Sequence, residues 1–98
     1  MATAERLSRM LEEHRGAIEQ HGRRASSALR VYDALSARPI ESMPSLCRIT
    51  GLSFPTVSSA VALLEELGIA RELTGKRRNR LFVYDGYLSL LSEGTEPL

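Results

Sequence analysis

Residues 50–69 read TGLSFPTVSSAVALLEELGI, and this stretch decides the fold. Ser53 is a residue type that caps helix N-termini, and Pro55 falls in the first turn, where a missing N–H is tolerated. Apolar residues then recur at helical spacing and mark one buried stripe: Val57, Ala60, Val61, Leu64 and Leu67. Gly68 stands where helices often end in a left-handed residue. The stretch therefore predicts an α-helix that begins after Ser53 and ends before Gly68.

A shorter helix is predicted just before it. Apolar and small residues share one helical face there: Met43, Leu46, Cys47 and Thr50. Ser42 is placed to cap this helix, Pro44 lies in its first turn, and Gly51 ends it. Two short helices joined by a tight turn that contains glycine are typical of a helix-turn-helix.

Two strand-like segments follow the second helix. Residues 69–73 and 80–84 alternate or run apolar, and they flank the turn sequence TGKRRN of residues 74–79. Ile40 and its neighbours are predicted to add a strand of one or two residues to this hairpin. The predicted fold class is mainly α with a small β-hairpin wing, that is, a winged helix-turn-helix.

The N-terminal segment predicts a separate amphipathic helix over residues 2–21. Its apolar residues Leu7, Met10, Leu11 and Ile18 lie among charged ones. This stripe packs either on the winged-helix body or on another subunit or neighbouring domain.

The domain boundaries follow from these patterns. We expect a connecting or packing helix over 1–24, a winged helix-turn-helix domain over 25–93 and a flexible tail over 94–98. The second helix is predicted to begin near Ala25-Ser26-Ser27 and to end at Ala37-Arg38-Pro39. Asp85-Gly86 indicates a turn, and residues 87–91 a short C-terminal helix or turn.

Composition narrows the possible functions. The 98 residues include 13 basic and 12 acidic ones, so attraction to nucleic acid has to come from the placement of charge rather than from its total. Cys47 is the single cysteine, which excludes an intrachain disulfide and a cysteine-rich zinc site. No apolar run approaches the roughly 20 residues that span a bilayer. We therefore expect a cytoplasmic protein without a membrane partner.

Catalysis and metal binding are not predicted. His14 and His21 are seven residues apart, whereas a zinc-binding pair on a helix is usually about four apart with further ligands nearby. Both histidines are predicted to lie solvated on a helix surface. No nucleophile, base and orienting acid form a local motif, so we expect neither enzyme activity nor a cofactor.

The outward face of the second helix of the helix-turn-helix is the first candidate DNA contact. Ser53, Thr56 and Ser59 can form hydrogen bonds near its N-terminus, where such helices read base edges. The helix has no Lys or Arg between Ser53 and Gly68, and Glu65 and Glu66 repel phosphate near its end. Sequence-specific reading by this helix is therefore not expected.

The wing is the second candidate contact. Its basic residues are Lys76, Arg77, Arg78 and Arg80. A basic hairpin tip can bind a phosphate backbone or enter a minor groove, which predicts weak or non-specific binding to double-stranded DNA. Alternatively, Arg78 and Arg80 pair with Glu72 or Glu41.

A protein-interaction module that does not bind DNA is the competing hypothesis. The helical spacing places Leu63 and Ile49 outward, where they would suit a protein surface better than a groove. Together with Leu7 and Leu11 of the first helix they form the predicted interface, whose partner would be a second copy of the chain or another domain.

Nearly the whole chain resembles the C-terminal winged-helix domain of Fic-family proteins. The resemblance rests on residues 50–57, on 64–69, on 82–84 with 87–88, and most specifically on Thr74-Gly75-x-x-Arg78-Asn79-Arg80. Fic enzymes transfer AMP from ATP to hydroxyl groups of proteins through a motif of the form HPFxDGNGR, which this sequence lacks. The resemblance thus implies a non-catalytic accessory module that binds DNA, another protein surface or a Fic catalytic domain.

Overall fold

A computed structural model describes residues 2–73 and 80–95. Within them the chain forms the helices α1 (Thr3–Glu19), α2 (Arg23–Ala37), α3 (Met43–Thr50), α4 (Phe54–Glu66) and α5 (Asp85–Thr95). The strands are β1 (Ile40–Ser42), β2 (Ala70–Glu72) and β3 (Leu81–Tyr84). The predicted class, mainly helical with a small antiparallel sheet, is confirmed, and the architecture is compatible with a winged helix.

The two central helices form the predicted helix-turn-helix. α3 and α4 meet at 107° across the turn 51–53, within the usual range for this motif. Ser42 accepts a hydrogen bond from the Ser45 N–H at 3.3 Å and thereby caps α3. Gly51 ends α3 with φ +73°, a left-handed conformation that disfavours residues with a Cβ. Local backbone chemistry therefore fixes both the turn and the direction in which α4 leaves it.

The end of α4 leads directly into the sheet. The Gly68 N–H donates to the Glu65 carbonyl at 3.0 Å, and the Ile69 N–H donates to the Leu64 carbonyl at 2.9 Å. This pair of bonds is the Schellman arrangement, accompanied here by burial of Ile69 and Leu64. The chain turns sharply at Gly68, as predicted, and β2 begins at Ala70.

β3 is the central strand of the sheet. It pairs antiparallel with β1 on one side and with β2 on the other. The predicted strand at Ile40 is confirmed, with three residues instead of one or two. The predicted wing tip, residues 74–79, lies outside the described residues.

α1 packs on the body of the domain, the first of the two alternatives above. Ile18 is fully buried in the core shared with α2, and Met10 and Leu11 pack against that core. A Cβ at Gly86 of α5 would lie 2.8 Å from the Met10 sulfur, so glycine leaves the space that Met10 occupies. The Arg6–Glu93 ion pair, at 3.0 Å, also joins the two helices.

Three predicted boundaries are wrong. α2 begins at Arg23, so the proposed domain boundary after residue 24 falls inside a helix. Asp85 and Gly86 begin α5 instead of forming a turn, and Arg71 of β2 holds Asp85 through bonds of 2.6 and 3.0 Å. These hydrogen bonds lower the pKa of Asp85. α5 continues to Thr95, into the predicted tail, of which residues 96–98 lie outside the described residues.

A chain of hydrogen bonds runs through the core between α1, β3 and α2. His14 Nδ1 lies 2.6 Å from the Tyr84 hydroxyl, which lies 3.0 Å from the Tyr32 hydroxyl. The Tyr32 hydroxyl donates to the Leu11 carbonyl at 3.0 Å. Both tyrosines are almost completely buried. The prediction that His14 is a solvated surface residue is therefore wrong, whereas His21 is exposed as predicted.

The available protons determine which group donates in each of these hydrogen bonds. The single hydroxyl proton of Tyr32 goes to the Leu11 carbonyl, which can only accept. Tyr84 must then donate to Tyr32, so the contact between His14 and Tyr84 requires a proton on His14 Nδ1. Burial raises the pKa of Tyr84 far above its usual range, and its hydrogen bond with Tyr32 adds to the effect. Burial also lowers the pKa of His14, against an opposing effect of Glu13.

Replacing Tyr84 with Phe should lower the free energy of unfolding by about 1–3 kcal/mol, because it leaves the His14 N–H and the Tyr32 oxygen without their shared partner. Chemical denaturation measures this change. Tyr87→Phe is the matched control. The Tyr87 and Tyr84 ring centroids lie 5.8 Å apart, and the Tyr87 hydroxyl forms no hydrogen bond with a described residue. Equal stability of the two variants would show that the hydrogen bonds of Tyr84 do not stabilise the fold.

Acidification should destabilise the fold through His14. Its pKa is lower in the folded chain, so the unfolded chain takes up the proton first as the pH falls through about 6.5. The free energy of unfolding is therefore expected to decrease between about pH 7.5 and 5.5, where most carboxylates stay ionised.

His14→Gln should flatten this pH dependence, and His21→Gln, at an exposed position, is the matched control. Denaturation midpoints across the pH series measure both effects. A decrease of the same size in the His14→Gln variant would show that another group causes it.

Candidate nucleic-acid interface

The N-terminal half of α4 presents a continuous exposed face. Phe54, Pro55, Ser58 and Ser59 are all exposed, and they form two neighbouring rows with a spacing of four residues. Neither serine hydroxyl bonds another residue in the described part of the chain. The sequence analysis placed Ser59 on this face but gave no role to Phe54 or Ser58.

The opposite face of α4 is buried more widely than predicted. Val57, Ala60, Val61 and Leu64 are buried, as the stripe requires. Leu63 is also fully buried, so its predicted outward position is wrong. α4 packs against α2, α3 and β2, and a helix with several neighbours buries more than one stripe.

Ser53 and Thr56 are occupied in capping α4. The Thr56 N–H donates to Ser53 Oγ at 3.4 Å, and the two hydroxyl oxygens lie 2.9 Å apart. Thr56 is only half-exposed. Of the three hydroxyl residues predicted to contact DNA, Ser59 is therefore the one that needs no rearrangement to do so.

The acidic residues of α4 lie at its far end. Glu65 and Glu66 are exposed, three turns from Phe54. Glu66 forms an ion pair at 3.5 Å with Arg24 of α2, which reduces its repulsion of a nearby anion only slightly because both side chains are exposed. The first three turns of α4 carry no carboxylate.

Arg80 binds back to the sheet instead of standing free for DNA. Its Nε lies 3.3 Å from a carboxylate oxygen of Glu72, one of the two partners weighed above. Both Glu72 and the buried Glu41 lie opposite Phe82, two residues from Arg80, so Arg80 is diagonal to both carboxylates. Lys76, Arg77 and Arg78 lie outside the described residues.

Two arginines that contact α3 were missed in the sequence analysis. Arg48 donates to Ser45 Oγ at 3.2 Å, and Arg30 of α2 donates to the Thr50 carbonyl at 3.4 Å. Both are exposed, and in the described ranges neither guanidinium pairs with a carboxylate. Arg48 could have been identified from its position in the last turn of the predicted short helix. Arg30 could not, because its contact with α3 depends on the packing of α2.

The residues of the competing protein interface do not share one environment. Ile49 is 52% exposed, as predicted, whereas Leu63 is buried. Leu11 packs against the core, and Leu7 is half-buried on α1. Ile49 is therefore the main remaining support for this hypothesis among the four residues.

The chain matches no protein-family model and no curated protein. The Fic resemblance consequently stays a prediction. No single helix in the described ranges is long and apolar enough to cross a membrane; α3 and α4 meet the length and composition criteria only together, as a bent pair. Residues 2–73 and 80–95 contain no group of three His, Cys, Asp or Glu side chains placed to hold a metal ion.

Ser53 and Ser59 should differ in what their hydroxyls do. Ser53→Ala removes the cap of α4 and is expected to cost about 1 kcal/mol of stability. Ser59→Ala changes an exposed helix position and should stay within about 0.5 kcal/mol of the parent chain. Thermal unfolding of the two variants measures both values, and a stability loss in Ser59→Ala would mean that Ser59 has a structural contact.

Proposed function

We propose that this chain is a non-catalytic DNA-binding module that binds double-stranded DNA weakly and with little sequence specificity. The observation that carries the proposal is the exposed N-terminal face of α4, held at 107° to α3 across a three-residue turn. In a helix-turn-helix this face enters the major groove. Its first turns present a phenyl ring, a proline and hydroxyls without a carboxylate.

Binding affinity would come mainly from phosphate contacts. α4 itself carries no cation, so the electrostatic attraction has to come from the elements beside it. Arg30 contacts the end of α3 beside the turn, Arg48 contacts Ser45 on α3, and both hydrogen bonds go to uncharged oxygens. Lys76, Arg77 and Arg78 add three positive charges within the predicted wing.

The resemblance to the Fic-family winged-helix domain favours the same proposal. It implies an accessory module, which would be joined to a catalytic domain or act beside one. A module of this kind does not need high affinity of its own, because its partner domain brings it to its target.

Simultaneous replacement of Lys76, Arg77 and Arg78 by Gln should weaken DNA binding and its salt dependence. Each lost phosphate contact reduces the logarithmic salt slope by about 0.9, so three contacts would change it by about 2.7. Fluorescence anisotropy of a labelled duplex between about 50 and 200 mM salt measures this slope.

A control variant with the same change in charge replaces Arg9, Arg23 and Arg38 by Gln. All three are exposed, on α1 or at the two ends of α2. Equal losses in the two variants would indicate a general effect of charge and contradict the proposed surface. Absence of binding by the parent chain at low salt would contradict DNA binding itself.

A protein-interaction module is the second candidate, because Ile49 and Phe54 are 52% and 61% exposed beside the same turn. Exposed apolar side chains that form a contiguous patch mark many protein interfaces. Sedimentation velocity on the same samples distinguishes the two candidates. A dimer that Ile49→Glu dissociates would favour the protein-interaction module. A monomer would exclude self-association as its function.

A further inference from the structure

Phe54 is held at the start of α4 with most of its ring in solvent. It is the first residue of the helix, and 61% of its surface is exposed. The Ser53 cap before it and Pro55 after it restrict the backbone of this turn. The point at which the side chain leaves the helix is therefore set by the helix start and not by burial of the ring in the core.

The exposed rows of α4 contain no side chain suited to guanine or adenine. Such reading uses Arg or Lys for guanine and Asn or Gln for adenine, and α4 has none of these. Hydroxyls such as those of Ser58 and Ser59 accept more than one base. A phenyl ring, however, matches one feature of the major groove, the 5-methyl group of thymine.

We propose that Phe54 is the specificity-determining residue of α4 and contacts thymine methyl groups in the major groove. The inference rests on the proposed function and deepens it, because it turns non-specific binding into a preference for duplexes rich in A·T pairs. A DNA partner agrees with the charges around the ring. The nearest acidic residues of α4 lie three turns away, and the guanidinium group of Arg30 lies beside the turn that precedes Phe54, where it donates to the Thr50 carbonyl.

The preference should be modest. Removing one methyl group from water is worth a factor of about four in affinity. One or two such contacts therefore give a preference of about 4- to 15-fold for thymine over a base without the methyl group.

The test compares three duplexes of equal length by anisotropy at low salt, using the full chain. One is rich in A·T pairs, one has every thymine replaced by uracil, and one consists of G·C pairs. Uracil lacks only the 5-methyl group, so it separates this contact from groove shape and from phosphate binding.

The expected result is tighter binding to the thymine duplex than to the uracil duplex by the factor above. Phe54→Ser should abolish this difference, Phe54→Leu should keep part of it, and Ile49→Ser should keep all of it as the matched exposed apolar control. Circular dichroism verifies that each variant is folded.

Three outcomes overturn the inference. Equal binding to all duplexes, unaffected by Phe54→Ser, would leave DNA binding in place but remove the role of Phe54. The thymine and uracil duplexes could bind equally well and both more tightly than the G·C duplex. If Phe54→Ser abolished that preference, the ring would instead insert from the minor groove. Absence of binding to every duplex would contradict the proposed function as well.

Discussion

The need to satisfy the buried hydroxyl of Tyr84 constrains the rest of the structure. A hydroxyl without a partner in the core costs about 1–3 kcal/mol, and Tyr84 is completely buried. Its partners are His14 of α1 and Tyr32 of α2, which brings two helices to one strand. The Tyr84 N–H donates to the Pro39 carbonyl at 2.8 Å, and the next residue begins α5. The C-terminal end of β3 therefore connects α1, α2, α5 and the residue that precedes β1.

Because these hydrogen bonds lie elsewhere, the exposed face of α4 makes no contact that the fold requires. Every buried residue of α4 is apolar, and its polar requirement for folding is met by the cap at Ser53. The hydrogen-bond chain lies elsewhere, between α1, α2 and β3. Stability therefore constrains the buried side of α4 strongly and its exposed side little beyond helix propensity. An aromatic ring on that exposed side has no evident structural purpose, which is why it carries a functional proposal.

Sequence patterns predicted the described helices and strands between Ile40 and Tyr84 well, because local chemistry determines them. The caps at Ser42 and Ser53 and the turn at Gly51 depend on hydrogen bonds and backbone angles within a few residues. The short strand at Ile40 also followed from the hairpin pattern. Leu63 was misplaced because a single helical stripe does not show how many neighbours a helix will have.

The errors outside this segment come from contacts between distant residues. His14 and Tyr84 are 70 residues apart in sequence, and nothing local to His14 indicates that a tyrosine will cover it. The same applies to Arg71 and Asp85, whose pairing helps to begin a helix where the dipeptide Asp-Gly alone indicates a turn. At the candidate interface, Ser59 was identified from helical spacing. Arg30 could not be, because it reaches the turn only through the packing of α2.

The chemistry of the candidate interface also limits what the module could achieve alone. Contacts through methyl groups and hydroxyls discriminate between bases by about 1 kcal/mol each, whereas specific regulators need about 4–10 kcal/mol over non-specific DNA. Two or three such contacts cannot supply that difference. A second module on a tether can, because it raises the effective concentration at one site without any new contact by this domain. An α4 without a cation is therefore better suited to a domain that acts beside a partner than to an independent repressor or activator.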